Sequence, residues 1–439
     1  MTETETKNLF WKRNKNMKTR FYNARILTMN GNTDIMEGEL HVDGDKISYI
    51  GTEKGTVSFD KEIDCKGNVL MPGFKNAHTH SAMTFLRSYA DDLPLQEWLF
   101  NRVFPMEAKL TPDRVYWLSR LGILEYLTSG ITANFDMYMK TDAIVNASID
   151  SGFRTVLCDS MNNFGGSVEQ MEKDYDKYSA VDPLISYHLG FHAEYTTSAE
   201  LMKQLSDLAN RRKLPVFVHS SETKKEVDEC KERYGMTPTE YLDSIGMYNY
   251  GGGGYHCVWM SDKDFEIYKE KKLFAVTNPA SNLKLASGIA PITRFLNEGI
   301  PVAIGTDGPA SNNCLDMFRE MFLVTGLQKV KDYDAEACDA AEVLKMACVN
   351  GANAMRLYDC DVLAVGKKAD IIEIDLNRPN MQPLNNIAKN IVYAGSKENI
   401  KRTMVNGKIL YECGEFFVGE KPETIYEKAN KIIKEMTDE

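Results

Sequence analysis

Two kinds of apolar patterning divide the chain. Near both ends, short apolar or alternating runs sit between turn residues. Tyr22–Met29 and Glu37–Ile50, the latter broken at Asp43-Gly44-Asp45, are followed much later by Ala369–Asp375, Ile391–Ala394 and Thr403–Leu410. Runs of this length and style predict strands. Between them, residues 71–363 alternate short apolar runs with longer amphipathic stretches, the pattern of repeated βα units. Predicted strands cover Leu70–Asn76, Thr132–Asp136, Thr155–Cys158, Ile185–Phe191, Val216–His219, Gly254–Cys257, Phe274–Thr277 and Val302–Gly305. Helices such as Arg114–Ser129 and Ala199–Arg211 are predicted between them. The expected class is α/β: a (β/α)8 TIM-like barrel over 71–363, with a small β-sandwich built from residues 18–70 and 364–418. Residues 1–17 read as a polar tail, with Met17 a second possible start, and residues 419–439 as a C-terminal helix.

Composition narrows the function classes. The chain has 439 residues, 43% hydrophobic and 26% charged, and a net charge of −11. An acidic surface repels phosphate backbones, so nucleic acid is not an expected partner. No apolar run is long enough to span a bilayer, and the N-terminus has no apolar signal core, so no membrane association is expected. Nine scattered cysteines without a CxxC pair argue against a disulfide framework and against a thiolate zinc site. A reducing cytoplasm is the expected setting. The zinc deaminase fold with an H-x-E and P-C-x-x-C signature is excluded on the same ground.

The candidate chemistry lies at predicted strand ends. His78 and His80 close the first barrel strand, and residues i and i+2 of a strand share a face. His219 ends Pro215-Val-Phe-Val-His219, with Glu222 three residues on. His256 follows a glycine run, and Asp307 ends Val302-Ala-Ile-Gly-Thr-Asp307. Of seven histidines, four stand at such ends. Imidazole nitrogen and carboxylate oxygen suit zinc, and a catalytic site keeps one position for water. Taken singly, each residue has a plain alternative: a core histidine, or a solvated loop carboxylate at Glu222.

Together the segments PGFKNAHTH, VFVHSSET, YHC, NPASNLKLASGIAP and GTDGPASNN resemble the amidohydrolase superfamily. More narrowly they resemble its 5-methylthioadenosine/S-adenosylhomocysteine deaminase and chlorohydrolase branch, from about Asn23 to Phe417. The resemblance implies the sandwich-plus-barrel architecture. It implies His78, His80, His219 and Asp307 as ligands of a single zinc per subunit, iron or manganese being alternatives, since Ile185–Phe191 carries no lysine to bridge a second metal. It implies Glu222 as the proton-shuttling acid, His256 as the contact of the catalytic water, and Asp307 as acceptor of its proton. The reaction so implied is hydrolytic deamination of the adenine ring of a nucleoside by a homo-oligomeric enzyme.

Substrate contacts follow the same resemblance. Glu107 matches a carboxylate that accepts from ribose hydroxyls, and His192 a histidine beside the purine. Trp98 is a candidate pocket wall, as are Met83 and Phe85. Asn278, Ser281 and Asn282 read as shaping the barrel mouth or serving as turn residues, and His188 as structural. The chain departs from the branch after its third barrel strand. No arginine stands between Arg154 and Arg211, where relatives hold a substrate carboxylate, so a neutral 5′ group is expected: adenosine, 5′-deoxyadenosine or 5′-methylthioadenosine. Trp259 stands where many relatives have histidine. The run Gly251–Gly254 reads as loosening the loop before His256. The rivals are a deaminase or chlorohydrolase acting on guanine, a pterin or a triazine, and, more remotely, a non-catalytic barrel scaffold.

Overall fold

The computed structural model describes residues 17–52 and 57–438, so the expected tail lies, apart from Met17, outside the described residues. Five strands precede the barrel: β1 (Lys18–Leu27), β2 (Ile35–Asp43), β3 (Lys46–Gly51), β4 (Lys61–Asp64) and β5 (Val69–Pro72). The barrel strands are β6 (Phe74–Thr79), β7 (Ile131–Met137), β8 (Arg154–Cys158), β9 (Ile185–Ala193), β10 (Val216–Ser220), β11 (Gly252–His256), β12 (Phe274–Thr277) and β13 (Val302–Ile304). Four more follow: β14 (Ile371–Ile374), β15 (Ile400–Val405), β16 (Lys408–Glu412) and β17 (Glu415–Phe416).

Strands from the two ends join in one nine-stranded sheet, ordered β17-β16-β15-β14-β5-β1-β2-β3 with β4 beside β1. The seam is the antiparallel pair β5–β14, where Met71 faces Ile372. Phe21, Ile26 and Leu40 from one end share a buried cluster with Ile371 and Met404 from the other. The apolar run Leu70–Asn76 is not one strand. It changes sheets at Gly73, between β5 and β6, and both halves are fully buried, which is why the pattern alone shows no break. Ile391–Ala394 is a second difference: it lies in and just after the helix Ile387–Tyr393. Asn386 caps that helix by accepting from the Lys389 amide, and Ala388, Ile391 and Val392 bury one face at helical spacing.

The eight parallel barrel strands run in sequence order around a nearly closed ring. Between β13 and β6 the ring is tied beyond the strands. The Asp307 amide donates to the His78 carbonyl at 3.0 Å, and the Asn76 side chain bridges the Thr306 amide and hydroxyl at 2.8 and 2.7 Å. Gly305 permits that approach, because a Cβ there would stand 2.8 Å from the His78 backbone nitrogen. Of the glycines before His256, Gly252, Gly253 and Gly254 belong to β11 itself rather than to a loop, and a Cβ on Gly252 or Gly253 would lie 1.9 Å from the Val216 carbonyl or 2.3 Å from that of Phe274. The run lets β11 pack tightly between β10 and β12.

The sheet is fastened to the barrel's N-terminal face by buried charge. Asp370, just before β14, accepts from Arg154 at 2.8 and 3.0 Å and from the Asn406 amide at 2.8 Å, with Lys75 Nζ 3.8 Å away. All three charged side chains are buried. The helix Pro422–Asp438 packs Ile425, Ala429, Ile432 and Met436 inward, against the barrel helix Pro112–Thr128. Among the described residues, no helix is long and apolar enough to cross a membrane.

Candidate active site

The C-terminal strand ends bring the metal-binding candidates together. His78 is on β6 and His80 one residue beyond it; His219 is on β10, and Asp307 lies three residues past β13. One donor atom from each falls within 4.8 Å of the others. His78 Nε2 is 3.1 Å from His219 Nε2 and 3.6 Å from Asp307 Oδ1, which is 3.3 Å from His80 Nε2. Four donors at about 2.1 Å from a tetrahedral cation would stand about 3.4 Å apart, so the spacing fits a first-row divalent ion.

Outer hydrogen bonds aim these donors. His80 Nδ1 donates to the Met137 carbonyl, and His219 Nδ1 to that of His192 at 2.6 Å, leaving each Nε2 lone pair facing inward. Asp307 Oδ2 accepts from Ser281 at 2.6 Å and Ser311 at 2.8 Å, and Oδ1 from the Gly308 amide at 2.7 Å. Burial pushes His78 down to about 3 and His219 well below its usual range, so both are neutral. Asp307 is pushed up by burial but held well below the carboxylate range by His78 and His80. For His80, burial is outweighed by Asp307 and the pKa rises. A cation taking this place displaces that proton.

Glu222 and His256 complete the mouth. His256 Nε2 lies 3.8 Å from Glu222 Oε2 and 3.9 Å from Asp307 Oδ2, and its Nδ1 meets Asn282 Oδ1 at 2.7 Å. Glu222 Oε1 accepts from Ser287 at 3.1 Å, and burial raises its pKa. Buried Glu226 accepts from the Ser221 and Glu222 amides, each at 2.8 Å, fixing the turn. Ser221, His256 and Asp307 all have left-handed backbone, with φ of 55°, 73° and 59°. Non-glycine residues there are uncommon and cluster at functional sites.

A single cavity is lined by His80, Trp98, Glu107, His192, Glu222, His256 and Asp307, together with Met83, Tyr138 and Ser311. Glu107 is buried, which pushes its carboxyl up to about 7. Burial takes His192 down to about 4. Phe85 belongs to the core, and His188 bonds the Met355 carbonyl at 3.2 Å. Asn278 is buried, with no partner for its amide. Past Phe104, Glu107, Tyr138 and Ser160 lies an adjoining cavity walled by Phe100, Leu110, Met161 and Phe164. Lys140, from the loop after β7 and outside the segment between Arg154 and Arg211, also lines it. Asp159 is beside it, raised to about 6 by burial.

Ser281 and Asn282, read from the sequence as shaping the barrel mouth or as turn residues, hold Asp307 and His256, whereas Ser287 on Glu222 and Ser311 on Asp307 were not singled out. Ser281, Asn282 and Ser287 sit in one segment whose composition reads as turn. Ser311, four residues after Asp307, carried a usable signal in its spacing.

Residues 69–410 match the amidohydrolase family. The 5-methylthioadenosine/S-adenosylhomocysteine deaminase of Thermoanaerobacter pseudethanolicus is 39% identical over 406 residues, 89% of this chain and 93% of its own. A zinc-bound adenosine deaminase from Xanthomonas campestris has a TM-score of 0.91 at 28% identity, over 97% of this chain and 99% of its own. A zinc-bound atrazine chlorohydrolase from Arthrobacter aurescens shares the fold, with a TM-score of 0.87 at 22% identity over 94% and 100%. The chain belongs to the amidohydrolase family, in the branch of the 5-methylthioadenosine/S-adenosylhomocysteine deaminases.

Proposed function

We propose that this protein is a metal-dependent hydrolase that converts an adenine nucleoside with a neutral 5′ group to its inosine analogue and ammonia. One observation carries the reading: two buried carboxyls of different duty, Glu107 and Glu222, share a cavity with the cluster of His80, His219 and Asp307. The relatives named for adenine nucleosides support it. Zinc is the ion we assign, as in the Xanthomonas neighbour, over iron or manganese. A cytoplasmic homo-oligomer is the setting we infer.

A divalent cation would be held by His78, His80, His219 and Asp307 and would supply a water acidified to about neutral pH. Asp307 accepts a proton from the attacking water as its oxygen adds to C6. His256, between Asp307 and Glu222, orients the attacking oxygen. Glu222, whose pKa burial raises, donates to N1 as the ring loses aromaticity. The proton on Asp307 passes to the 6-amino group, the C6–N bond breaks to release ammonia, and the C6 hydroxyl proton returns to Glu222 as the carbonyl forms. Glu107, at the far side, accepts from the ribose diol. The aromatic wall of Phe100, Phe104 and Phe164, with Lys140 offset by Asp159 on the same lining, favours an uncharged 5′ group.

The test incubates zinc-loaded protein with adenosine, 5′-deoxyadenosine, 5′-methylthioadenosine, S-adenosylhomocysteine and guanine, with and without chelator. Loss of adenine absorbance from the neutral nucleosides, abolished by chelator, is expected. Turnover of guanine alone would replace the adenine reading with another ring.

A further inference from the structure

The geometry points to Trp259 as a positioning residue for the proton donor Glu222, acting through Ser287. The inference rests on the proposed role of Glu222. The segment from Asn278 to Gly288 touches three groups of the site at once: Ser281 donates to Asp307, Asn282 meets His256, and Ser287 donates to Glu222. Its near end is fixed by the helix Pro279–Lys284, with Lys284 reaching Asp91 at 2.6 Å and the Ala310 carbonyl at 3.0 Å. Its far end is fixed differently. Trp259 Nε1 donates to the Ser287 carbonyl at 2.8 Å, and Gly288 has a φ of 129° with Trp259 Nε1 3.6 Å from where its Cβ would be.

Trp259 is itself anchored to the Glu222 turn. Its amide, and that of Val258, donate to the Ser221 carbonyl at 2.9 and 3.0 Å. A rigid ring therefore spans from the residue before Glu222 to the residue whose hydroxyl holds the Glu222 carboxyl. The indole N–H is donor only, so it can serve no other polarity of contact with that carbonyl. With the bond in place, Ser287 Oγ is held 3.1 Å from Glu222 Oε1. Without it, Ser287 is still held through its amide, which donates to the Asn282 carbonyl at 2.8 Å, but its carbonyl loses the indole bond that ties it to the Glu222 turn. The indole is 41% exposed, so replacing it leaves no cavity in the core. Such a residue should act on the proton-transfer step and leave the ribose end of the cavity untouched.

The test compares Trp259→Phe, Trp259→His, Ser287→Ala, the Trp259→Phe/Ser287→Ala double variant and Glu222→Gln in the zinc-loaded enzyme, with kcat and KM measured on one neutral adenine nucleoside. Trp259→Phe should lower kcat about fivefold, the effect of one neutral hydrogen bond, with KM within about twofold. Trp259→His, which keeps a ring donor, should recover at least part of that loss. Ser287→Ala should cost about tenfold or more, and the double variant no more than Ser287→Ala alone, because the indole would act only through Ser287. In proton NMR, the indole resonance missing from Trp259→Phe should be among the slowly exchanging of the chain's four. An unchanged kcat in Trp259→Phe, losses that multiply in the double variant, or a freely exchanging indole proton would overturn the inference. Wild-type turnover by Glu222→Gln would instead remove the role of Glu222 and take the inference with it.

Discussion

Glu107→Gln is the change that most directly separates a nucleoside site from a site for a bare ring. The glutamate is buried in the wall of the cavity that Glu222 also lines and offers two acceptor oxygens to a vicinal diol. Glutamine has nearly the same shape but keeps one acceptor and no charge. A hydrogen bond to a charged acceptor is worth about 1.5–3 kcal/mol. Losing one such bond and weakening the other should cost about 2–3 kcal/mol, or roughly a hundredfold in kcat/KM for ribosides. The pH dependence adds a second signature. Burial raises Glu107 to about 7, and the ionised form is the better acceptor, so affinity is gained as pH rises through that value. Below it, kcat/KM for a riboside should fall about tenfold per pH unit, while the variant should lack this limb. The assay is the absorbance change on deamination, run from pH 5.5 to 8.5 with adenosine and with 3′-deoxyadenosine. The deoxy analogue should show a much smaller response to the substitution. Equal losses on both substrates, or an acid limb in Glu107→Gln as steep as that of the wild type, would refute the assignment of this carboxyl to the diol.

Three further outcomes are expected. His219→Ala should lose bound metal and turnover together, read by elemental analysis beside the deamination assay; full metal content with normal turnover would exclude His219 as a ligand. Asp370→Asn leaves Arg154 and Lys75 facing each other without a buried counter-charge and should cost about 3–5 kcal/mol in denaturant unfolding. Because the Asp370 pKa is lowered to about 2, the wild-type advantage should be complete above about pH 4 and vanish as pH falls through 2; an advantage that persists at pH 2 would contradict the pairing. Phe164→Arg, at the exposed rim of the adjoining cavity, should raise kcat/KM for S-adenosylhomocysteine relative to 5′-methylthioadenosine, and an unchanged ratio would count against that cavity as the 5′ site.

The metal cluster was legible because its chemistry is local to strand ends. His78 and His80 needed only the two-residue period of a strand, and the apolar runs before His219 and Asp307 announced where each would emerge. The bracing shell was not legible in the same way. Ser281, Asn282 and Ser287 act across 26 to 65 residues of chain, and nothing in their own neighbourhood distinguishes a brace from a turn. Fold-level differences have equally local causes. Ile391–Ala394 has β-branched residues suited to a strand, yet the Asn386 cap and one-sided burial make it helical. Leu70–Asn76 reads as one strand because burial on both sides of Gly73 erases the polar interruption that marks most boundaries. The glycine run before His256 looked permissive in sequence, whereas the neighbours of Gly252, Gly253 and Gly254 leave no room for side chains.

The seam between β5 and β14 has a consequence for how the chain is made. Asn68 Nδ2 donates to Glu373 at 2.8 Å across 305 residues, and β5 has no β14 partner until nearly the whole polypeptide has been synthesised. A growing chain leaving the ribosome N-terminus first therefore holds the β5 edge open throughout synthesis of the barrel. Contacts so distant in sequence form slowly. Chains that stop before residue 369 would carry every proposed metal ligand and yet present an unpaired apolar edge, with Arg154 and Lys75 buried without Asp370. Premature termination should then yield aggregates rather than a working barrel, so the last seventy or so residues act as a completion check on an active site they never touch.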